Sequence, residues 1–365
     1  MGFNCGIVGL PNVGKSTLFN AITSARVDAS NYPFCTIDRN IGAVPVPDRR
    51  LTVLADFYHP TKIVPTMIEF VDIAGLVKGA SKGEGLGNQF LGHIREVDAI
   101  AHVVRCFDDP DVVHVDGSVN PGRDIEVVKT ELLLKDLETV ERKMGEASRK
   151  AKSGDKKIKT EADFYAKVGH HLGAGQPVHA LLLTSEEERA WVRDLHLLSD
   201  KPVMYVCNVG ETDLAGEGEY VRAVRGIAAG EGATVVVVCA AMEAELSELP
   251  LEDRRSLLEG VGLRESGLDK VVHEGYELLH LITFFTVNEK EVHARTLRRG
   301  ATALDAAGSV HTDFARGFIR AEVFKFRDFE LLGSEHALKE RGLLRSEGKE
   351  YVVEDGDVIY IRFNV

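Results

Sequence analysis

A glycine-rich segment near the start of the chain has the residue types and the spacing of a phosphate-binding loop. It reads Gly9-Leu10-Pro11-Asn12-Val13-Gly14-Lys15-Ser16-Thr17, a glycine and four residues followed by Gly-Lys-Ser. Gly9 and Gly14 allow backbone N–H groups to turn inward around an anion, and a helix that begins at Ser16 would add its positive dipole end. Lys15 is expected to reach the β and γ phosphates, and the Ser16 hydroxyl is expected to supply one oxygen to Mg²⁺.

Two later segments supply the other groups that a bound triphosphate needs. Thr36 lies in an aperiodic stretch, Asn31 to Ile37, where a threonine can meet Mg²⁺ and the γ phosphate in a nucleotide-dependent switch. The strand-like run Met67 to Asp72 ends in an acid. Asp72 would hold the metal through water, while the backbone N–H of Gly75 would sense the γ phosphate. Together these groups predict a nucleoside triphosphate with Mg²⁺ as the ligand.

A fourth segment stands where the base of a nucleotide would bind. Asn208-Val209-Gly210-Glu211 follows the apolar run Pro202 to Cys207, at the carboxyl end of a predicted strand, where parallel sheets bind their ligands. GTPases usually carry Asn-Lys-x-Asp here, and the aspartate accepts hydrogen bonds from guanine. Val209 removes the lysine stem and Glu211 moves the carboxylate by a methylene, so strict guanine selection is not expected.

The group that orients the attacking water is harder to assign. Leu76, directly after Gly75, cannot hydrogen-bond water, so another group or a partner must do so. His93 falls in a helical pattern with apolar residues and is interpreted as structural. His114 follows a strand end and an acidic loop, at the sheet edge where the nucleotide should lie. It is the candidate catalytic residue, and the alternative is an ordinary surface-loop histidine.

The elements that position these groups follow from hydrophobic periodicity. Apolar strand-like runs alternate with helical patterns, which predicts a mainly parallel α/β sheet. Helical stripes flank Arg149 to Lys159, where six of eleven residues are basic, and predict an inserted helical hairpin with a basic tip. The tip would contact RNA or a partner, or be simply solvated. The predicted division is a nucleotide-binding domain over 1–123 and 203–277, a helical insertion over 124–202, and a small α+β domain over 278–365.

Composition limits the class of protein. The chain has 365 residues, 44% of them hydrophobic and 28% charged, which suits two or three domains with a sizeable core. No secretory signal is recognised and no apolar run approaches about 18 residues, so we expect a cytoplasmic protein without a membrane partner. A net charge of −13 argues against broad binding to nucleic acid, and DNA is not expected. The five cysteines lack metal spacing and are expected to be buried thiols.

The motifs resemble those of the Obg-like ATPases, the YchF group of translation-factor-class P-loop NTPases. The resemblance covers nearly the whole chain. Its specific marks are Gly-Leu-Pro-Asn-Val-Gly-Lys-Ser at 9–16, Tyr-Pro-Phe-Cys-Thr-Ile at 32–37, Asp-Ile-Ala-Gly-Leu at 72–76 and Asn-Val-Gly-Glu at 208–211. The tail is similar to a TGS domain at Gly300 to Ala307 and at His311 to Phe314.

This resemblance implies a P-loop NTPase domain with a mainly parallel sheet, an inserted helical hairpin and a C-terminal, β-grasp-like α+β TGS domain. It implies hydrolysis of ATP in preference to GTP and binding to the ribosome, through the large subunit, rRNA or ribosomal proteins. Asn12 to Thr17 would surround the triphosphate, Ser16 and Thr36 would hold Mg²⁺, and adenine would lie near Asn208 and Val209. Asn12 also matches the asparagine that holds K⁺ in related cation-dependent GTPases, which makes K⁺ a candidate activator.

Two alternatives from other classes remain open at this stage. One is a GTPase that acts in ribosome assembly, and Asn208-Val209-Gly210-Glu211 in place of Asn-Lys-x-Asp is the feature that argues against it. The other is an interaction protein that binds nucleotide as a signal and hydrolyses it negligibly, as Leu76 would suggest. A turnover assay separates this second alternative from an ATPase.

Overall fold

A computed structural model describes residues 3–24, 40–73, 86–151 and 155–364. The chain divides into two compact units. The P-loop unit contains Phe3–Gly42 and Phe70–Val271, and the C-terminal unit contains Ala43–Glu69 and Val272–Val365. The sequence interpretation had grouped residues 43–69 with the nucleotide-binding domain, whereas the structure groups them with the end of the chain.

One six-stranded sheet of the described residues is mainly parallel. Its spatial order is β2 (Ile41–Pro45), β4 (Met67–Asp72), β1 (Asn4–Val8), β5 (Ala99–Cys106), β6 (Val203–Val209) and β7 (Thr234–Val238). The pairs β1–β5, β5–β6 and β6–β7 are parallel. Every residue of β5 is buried, as expected for a strand covered on both faces. The predicted α/β fold class is therefore confirmed.

Helices follow or connect these strands. They are α1 (Lys15–Ser24), α3 (Leu86–Glu96), α4 (Pro121–Ala151), α5 (Lys156–Gly173), α6 (Glu186–Leu195), α7 (Glu219–Glu231), α8 (Ala240–Glu248), α9 (Leu251–Gly260) and α10 (Gly267–Leu278). Helices α4 and α5 pack against each other around a shared apolar cluster that includes Val140, Phe164 and Val168. This pair is the helical hairpin that the sequence predicted.

A buried acid on α4 connects the hairpin, through hydrogen bonds, to the segment that enters the sheet. The Asp136 carboxylate is completely buried and accepts hydrogen bonds from the backbone N–H groups of Leu198 and Ser199 at 2.7 and 2.8 Å. It also accepts one from the Ser199 hydroxyl at 2.6 Å. Because these residues lie shortly before β6, Asp136 fixes the return of the chain into the sheet.

A second six-stranded sheet forms the core of the C-terminal unit. Its order is β11 (Arg345–Glu347), β10 (Phe318–Lys325), β12 (Asp357–Phe363), β8 (Leu281–Val287), β9 (Glu291–Arg298) and β3 (Lys62–Val64). The pair β12–β8 is parallel, with antiparallel pairs β8–β9 and β10–β12 on either side. The helices of this unit are α2 (Arg49–Tyr58), α11 (Ala303–Val310), α12 (Thr312–Arg316), α13 (Phe326–Leu332) and α14 (Glu335–Glu340).

Long-range pairing explains why residues 43–69 belong to this unit. Strand β3 extends the second sheet by pairing in parallel with β9. Leu51 and Leu54 of α2 are buried in the same apolar cluster as Phe285 and Val358. Neither contact leaves a local pattern in the sequence, since each joins positions that are more than 200 residues apart.

Two further expectations can be compared with the structure. Cys5, Cys106, Cys207 and Cys239 are buried free thiols, as expected, and Cys35 lies outside the described residues. Among the helices of the described ranges, none is long and apolar enough to cross a membrane.

Candidate nucleotide-binding site

The phosphate loop joins β1 to α1, as the sequence predicted. Two of its residues have positive φ angles, 61° at Asn12 and 97° at Gly14. A side chain at Gly14 would also collide with the amide of Asn208, and one at Gly9 would collide with the backbone carbonyl of Val103. Gly14 is therefore required by its backbone conformation and by close packing, and Gly9 by close packing alone.

Within this loop the remaining residues have distinct environments. Val13 is buried in the core, whereas the side chains of Ser16 and Thr17 are exposed at the start of α1. The hydroxyl groups of the loop thus face solvent, while the buried Val13 side chain packs in the core.

Lys15 is folded over the loop. Its ammonium group donates a hydrogen bond to the Leu10 carbonyl at 2.6 Å, and the residue is only 7% exposed. Burial lowers the pKa of Lys15 to about 8, while the nearby Asp72 carboxylate favours the charged form. The site thus holds a partly desolvated cation that an anionic phosphate would stabilise.

The residues around Asp72 fit a magnesium ion. One carboxylate oxygen, Oδ1, is buried and finds no hydrogen-bond partner among the described residues. Burial raises the pKa of Asp72, against the opposing effects of Lys15 and of a hydrogen bond with Ser16. A buried carboxylate oxygen without a partner is costly, and a hydroxyl beside a carboxylate is the kind of oxygen donor set that Mg²⁺ prefers. Thr36, Gly75 and Leu76 lie outside the described residues.

Asn208 has a role that the sequence did not reveal. Its Nδ2 donates to the Val13 carbonyl at 2.9 Å, and its Oδ1 accepts from the Ala240 N–H at 3.0 Å. The side chain is only 6% exposed. Asn208 therefore ties the phosphate loop to the first residue of α8, a function that depends on two distant backbone groups.

The neighbours of Asn208 differ in exposure. The Val209 side chain is 2% exposed and belongs to a buried apolar cluster. Glu211 is exposed at the start of a short 3-10 helix, Glu211–Asp213. The Asp213 carboxylate accepts hydrogen bonds from the N–H groups of Glu217 and Gly218 and so shapes the loop that follows.

His114 is buried and fully engaged in the described conformation. Its Nδ1 accepts from the Asp116 N–H at 3.1 Å, which leaves the proton on Nε2 to be donated to Asp124 at 2.8 Å. The two aspartates and His114 could group around a cation, but Arg123 forms ion pairs with both carboxylates. A catalytic role for His114 thus requires that these contacts open. His93 is exposed on α3, next to the buried Ile94 of the same helix.

The loop that carries His114 also contacts the phosphate loop directly. Asn12 Nδ2 donates a hydrogen bond to the Val113 carbonyl at 3.0 Å. Val113 is the preceding residue in the chain, and its own side chain is 74% exposed. The sequence placed His114 near the nucleotide, but it did not indicate that the link runs through Asn12 and a backbone carbonyl.

Known proteins are similar to this chain over its full length. The ribosome-binding ATPase YchF of Escherichia coli O157:H7 is 54% identical over 365 residues, with 100% of each chain covered. The protein of the same name from Bacillus subtilis (strain 168) is 51% identical over 367 residues, again with 100% of each covered. The structure of the Schizosaccharomyces pombe YchF GTPase matches with a TM-score of 0.89 and 38% identity, covering 99% of this chain and 98% of that one.

Family models match both parts of the chain. A model described as a 50S ribosome-binding GTPase matches residues 4–143, which include the phosphate loop. The model of the YchF-type GTPase C-terminal region, described as a protein of unknown function, matches residues 281–364. Because the full-length relatives, the solved structure and the C-terminal model agree, the chain belongs to the YchF family.

Proposed function

We propose that this protein is a ribosome-binding ATPase that hydrolyses ATP to ADP and phosphate. The observation that carries the proposal is a buried Asp72 oxygen at the phosphate loop, beside Ser16 and Lys15, that has no hydrogen-bond partner within the described ranges. Such a site is built for a triphosphate with a divalent cation. The names of the full-length relatives support ATP as the nucleotide and the ribosome as the partner.

In this proposal the residues of the site have separate tasks. Lys15 exchanges the Leu10 carbonyl for the β and γ phosphates, and the loop N–H groups bind the remaining phosphate oxygens. Ser16, Thr36 and, through water, Asp72 would hold Mg²⁺, and the ion would neutralise charge on the phosphates. Gly75 senses the γ phosphate. Asn12, whose Nδ2 donates a hydrogen bond to the Val113 carbonyl, would offer its side-chain carbonyl oxygen to K⁺. Turnover compared in K⁺ and in Na⁺ tests this assignment.

The assignment of base contacts follows from exposure. With Asn208 occupied by two backbone groups and Val209 buried, we propose that adenine is met by the backbone around these residues and by the exposed Glu211. His114 acts in hydrolysis only after it leaves Asp124. Single-turnover ATP cleavage and ATP affinity of His114→Ala test that role. Loss of cleavage with intact affinity supports it, and an unchanged cleavage rate eliminates it.

Side-by-side titration with ATP and GTP tests the nucleotide. We expect tighter binding of ATP, and Glu211→Asp should move the preference toward GTP because it restores the carboxylate position that reads guanine. Val209→Lys is a poor companion change, since it would bury a charge in the apolar cluster. Equal affinities would show that the base is not selected, and tighter GTP binding would overturn the assignment of ATP.

The second candidate is a ribosome-binding GTPase. The descriptions of the N-terminal family model and of the fission yeast structure favour it. The first of these also names the 50S ribosome, which supports the large subunit as the contact and the cytoplasm as the place of action. A comparison of ATP and GTP turnover, with and without ribosomes, distinguishes the two enzymes from a binding protein with negligible hydrolysis. The division into domains 1–123 with 203–277, 124–202 and 278–365 stays a prediction from the sequence, and residues 43–69 are the part of it that packs with the C-terminal unit.

A further inference from the structure

A buried arginine supports the loop that connects β5 to α4. Arg105, near the end of β5, is only 2% exposed. Its guanidinium donates three hydrogen bonds to backbone carbonyls of this loop: from Nε to Phe107 at 3.1 Å, from Nη1 to Val112 at 2.9 Å and from Nη2 to Asp109 at 3.3 Å. The guanidinium also lies over the Phe107 ring, 4.6 Å from its centre.

The choice of arginine here has a physical cost. Burial of a guanidinium is unfavourable, and within the described ranges Arg105 has no carboxylate in an ion pair to compensate it. An apolar residue would fill the space at lower cost. What arginine alone provides is a rigid fork of donors that holds several carbonyls at fixed positions. We conclude that the function of Arg105 is to fix the backbone of the segment from Phe107 to Val112.

That segment leads directly to the phosphate loop. Val113 follows Val112 in the chain, and its carbonyl accepts a hydrogen bond from Asn12 Nδ2. Asn12 lies at the turn of the phosphate loop and has a positive φ of 61°. An unbroken path of hydrogen bonds and backbone therefore runs from Arg105 through Val113 to Asn12.

We propose that Arg105 is a positioning residue for nucleotide hydrolysis. It sets the place of the Val113 carbonyl and so holds Asn12 and the phosphate loop in the arrangement that the reaction requires. The hydrogen bonds of Arg105 in the described residues end on carbonyls of the β5–α4 loop, and in this proposal Arg105 does not contact the nucleotide. The inference rests on the proposed ATPase function and adds a residue that no motif of the sequence singles out.

The test is single-turnover cleavage of bound ATP together with equilibrium ATP affinity. Arg105→Met should slow cleavage by about tenfold or more while the dissociation constant for ATP changes by less than about threefold, because geometry rather than binding is lost. Arg105→Lys should cleave ATP at a rate between those of Arg105→Met and the unmodified protein, because one ammonium group cannot reproduce the guanidinium's fork of donors. A cleavage rate of Arg105→Met within about twofold of the unmodified protein overturns the proposal, as does a parallel loss of affinity and cleavage.

A double-mutant cycle tests the path itself. The double variant Arg105→Lys with Asn12→Ala is compared with the two single variants. If Arg105 acts through Asn12, the fold-decrease in cleavage rate of the double variant should be smaller than the product of the two single fold-decreases. Effects that multiply would show that the two residues act independently and would refute the path. Failure of the unmodified protein to cleave ATP would refute the proposed function, whereas unimpaired cleavage by the Arg105 variants refutes only the role of Arg105.

Discussion

The charged side chains of the phosphate site are held in environments that disfavour their charges. Burial lowers the pKa of Lys15 and raises that of Asp72, so each group is less stable as an ion than it would be in water. A triphosphate favours the charged lysine, and a divalent cation favours the charged aspartate. Binding of both ligands together therefore compensates the burial of two charges. The free-energy cost of rearrangement is small because Lys15 already lies over the loop.

Asn208 provides a prediction about how the site selects its ligand. Asn208→Ala removes the hydrogen bonds to the Val13 carbonyl and the Ala240 N–H, which should cost about 1–3 kcal/mol of unfolding free energy. Since the side chain supports the phosphate loop, affinity for ATP and for GTP should fall by a similar factor. Titration of both nucleotides, with urea unfolding of the free protein, measures the two effects.

The exposed Thr212→Ala, in the same segment, serves as the matched control and should leave both affinities unchanged. A change in the ratio of ATP to GTP affinity in Asn208→Ala would contradict the interpretation. It would mean that the asparagine side chain itself reads the base.

At the level of elements, helix α8 connects the nucleotide site with the start of α10. Its first N–H, on Ala240, is bound to Asn208, and one turn later the buried Glu243 accepts a hydrogen bond from the Gly267 N–H at 2.5 Å. Gly267 is the first residue of α10, so Glu243 satisfies a donor at that helix end. Helix α8 also packs against α1, which begins at Lys15.

Glu243 should make the stability of this region depend on pH. Burial, with a contribution from Asp269, raises the pKa of Glu243 from its ordinary value of 4.5 to about 7 in the folded protein. The neutral form is favoured by folding, so the stabilisation is complete below the unfolded pKa and is lost as pH rises through about 7. Between those limits the contribution of Glu243 to the free energy of unfolding should fall by about 3 kcal/mol.

Urea unfolding of the unmodified protein and of Glu243→Gln, at about pH 5 and about pH 8, measures this contribution. As pH rises, the free energy of unfolding of the unmodified protein should fall relative to that of Glu243→Gln. Glu245→Gln, an exposed change on the same helix, should leave the pH dependence intact. A constant difference between Glu243→Gln and the unmodified protein would show that the carboxyl does not titrate in this range.

For the whole molecule, local patterns predicted what is local. The phosphate loop, the parallel strands and the paired helices α4 and α5 each follow from spacing or periodicity within one stretch of chain. The grouping of α2 and β3 with the C-terminal sheet did not follow, because it depends on pairing with β9. Spacing could not show which group Asn208 or Arg105 would bond, since backbone carbonyls are present at every residue.

The net charge of the whole chain limits which part of its surface can attract ribosomal RNA. A charge of −13 repels the phosphates of RNA, so attraction must come from a local basic surface. The basic tip of the hairpin is such a surface: Lys156, Lys157 and Lys159 are exposed at the start of α5, and Lys152 lies outside the described residues. Glutamine is a good helix former, so substitution of the three described lysines by glutamine should remove charge without unfolding α5.

We therefore predict that Lys156→Gln, Lys157→Gln and Lys159→Gln together weaken cosedimentation with ribosomes. They should also lower the slope of log affinity against log salt by about one for each phosphate contact that is lost. ATP affinity should not change, because the tip carries no residue of the phosphate site. Arg189→Gln with Arg193→Gln is the control, since these arginines are exposed on α6 and paired with Glu186. An unaltered salt slope in the lysine variant would identify the tip as a solvated connection between two helices.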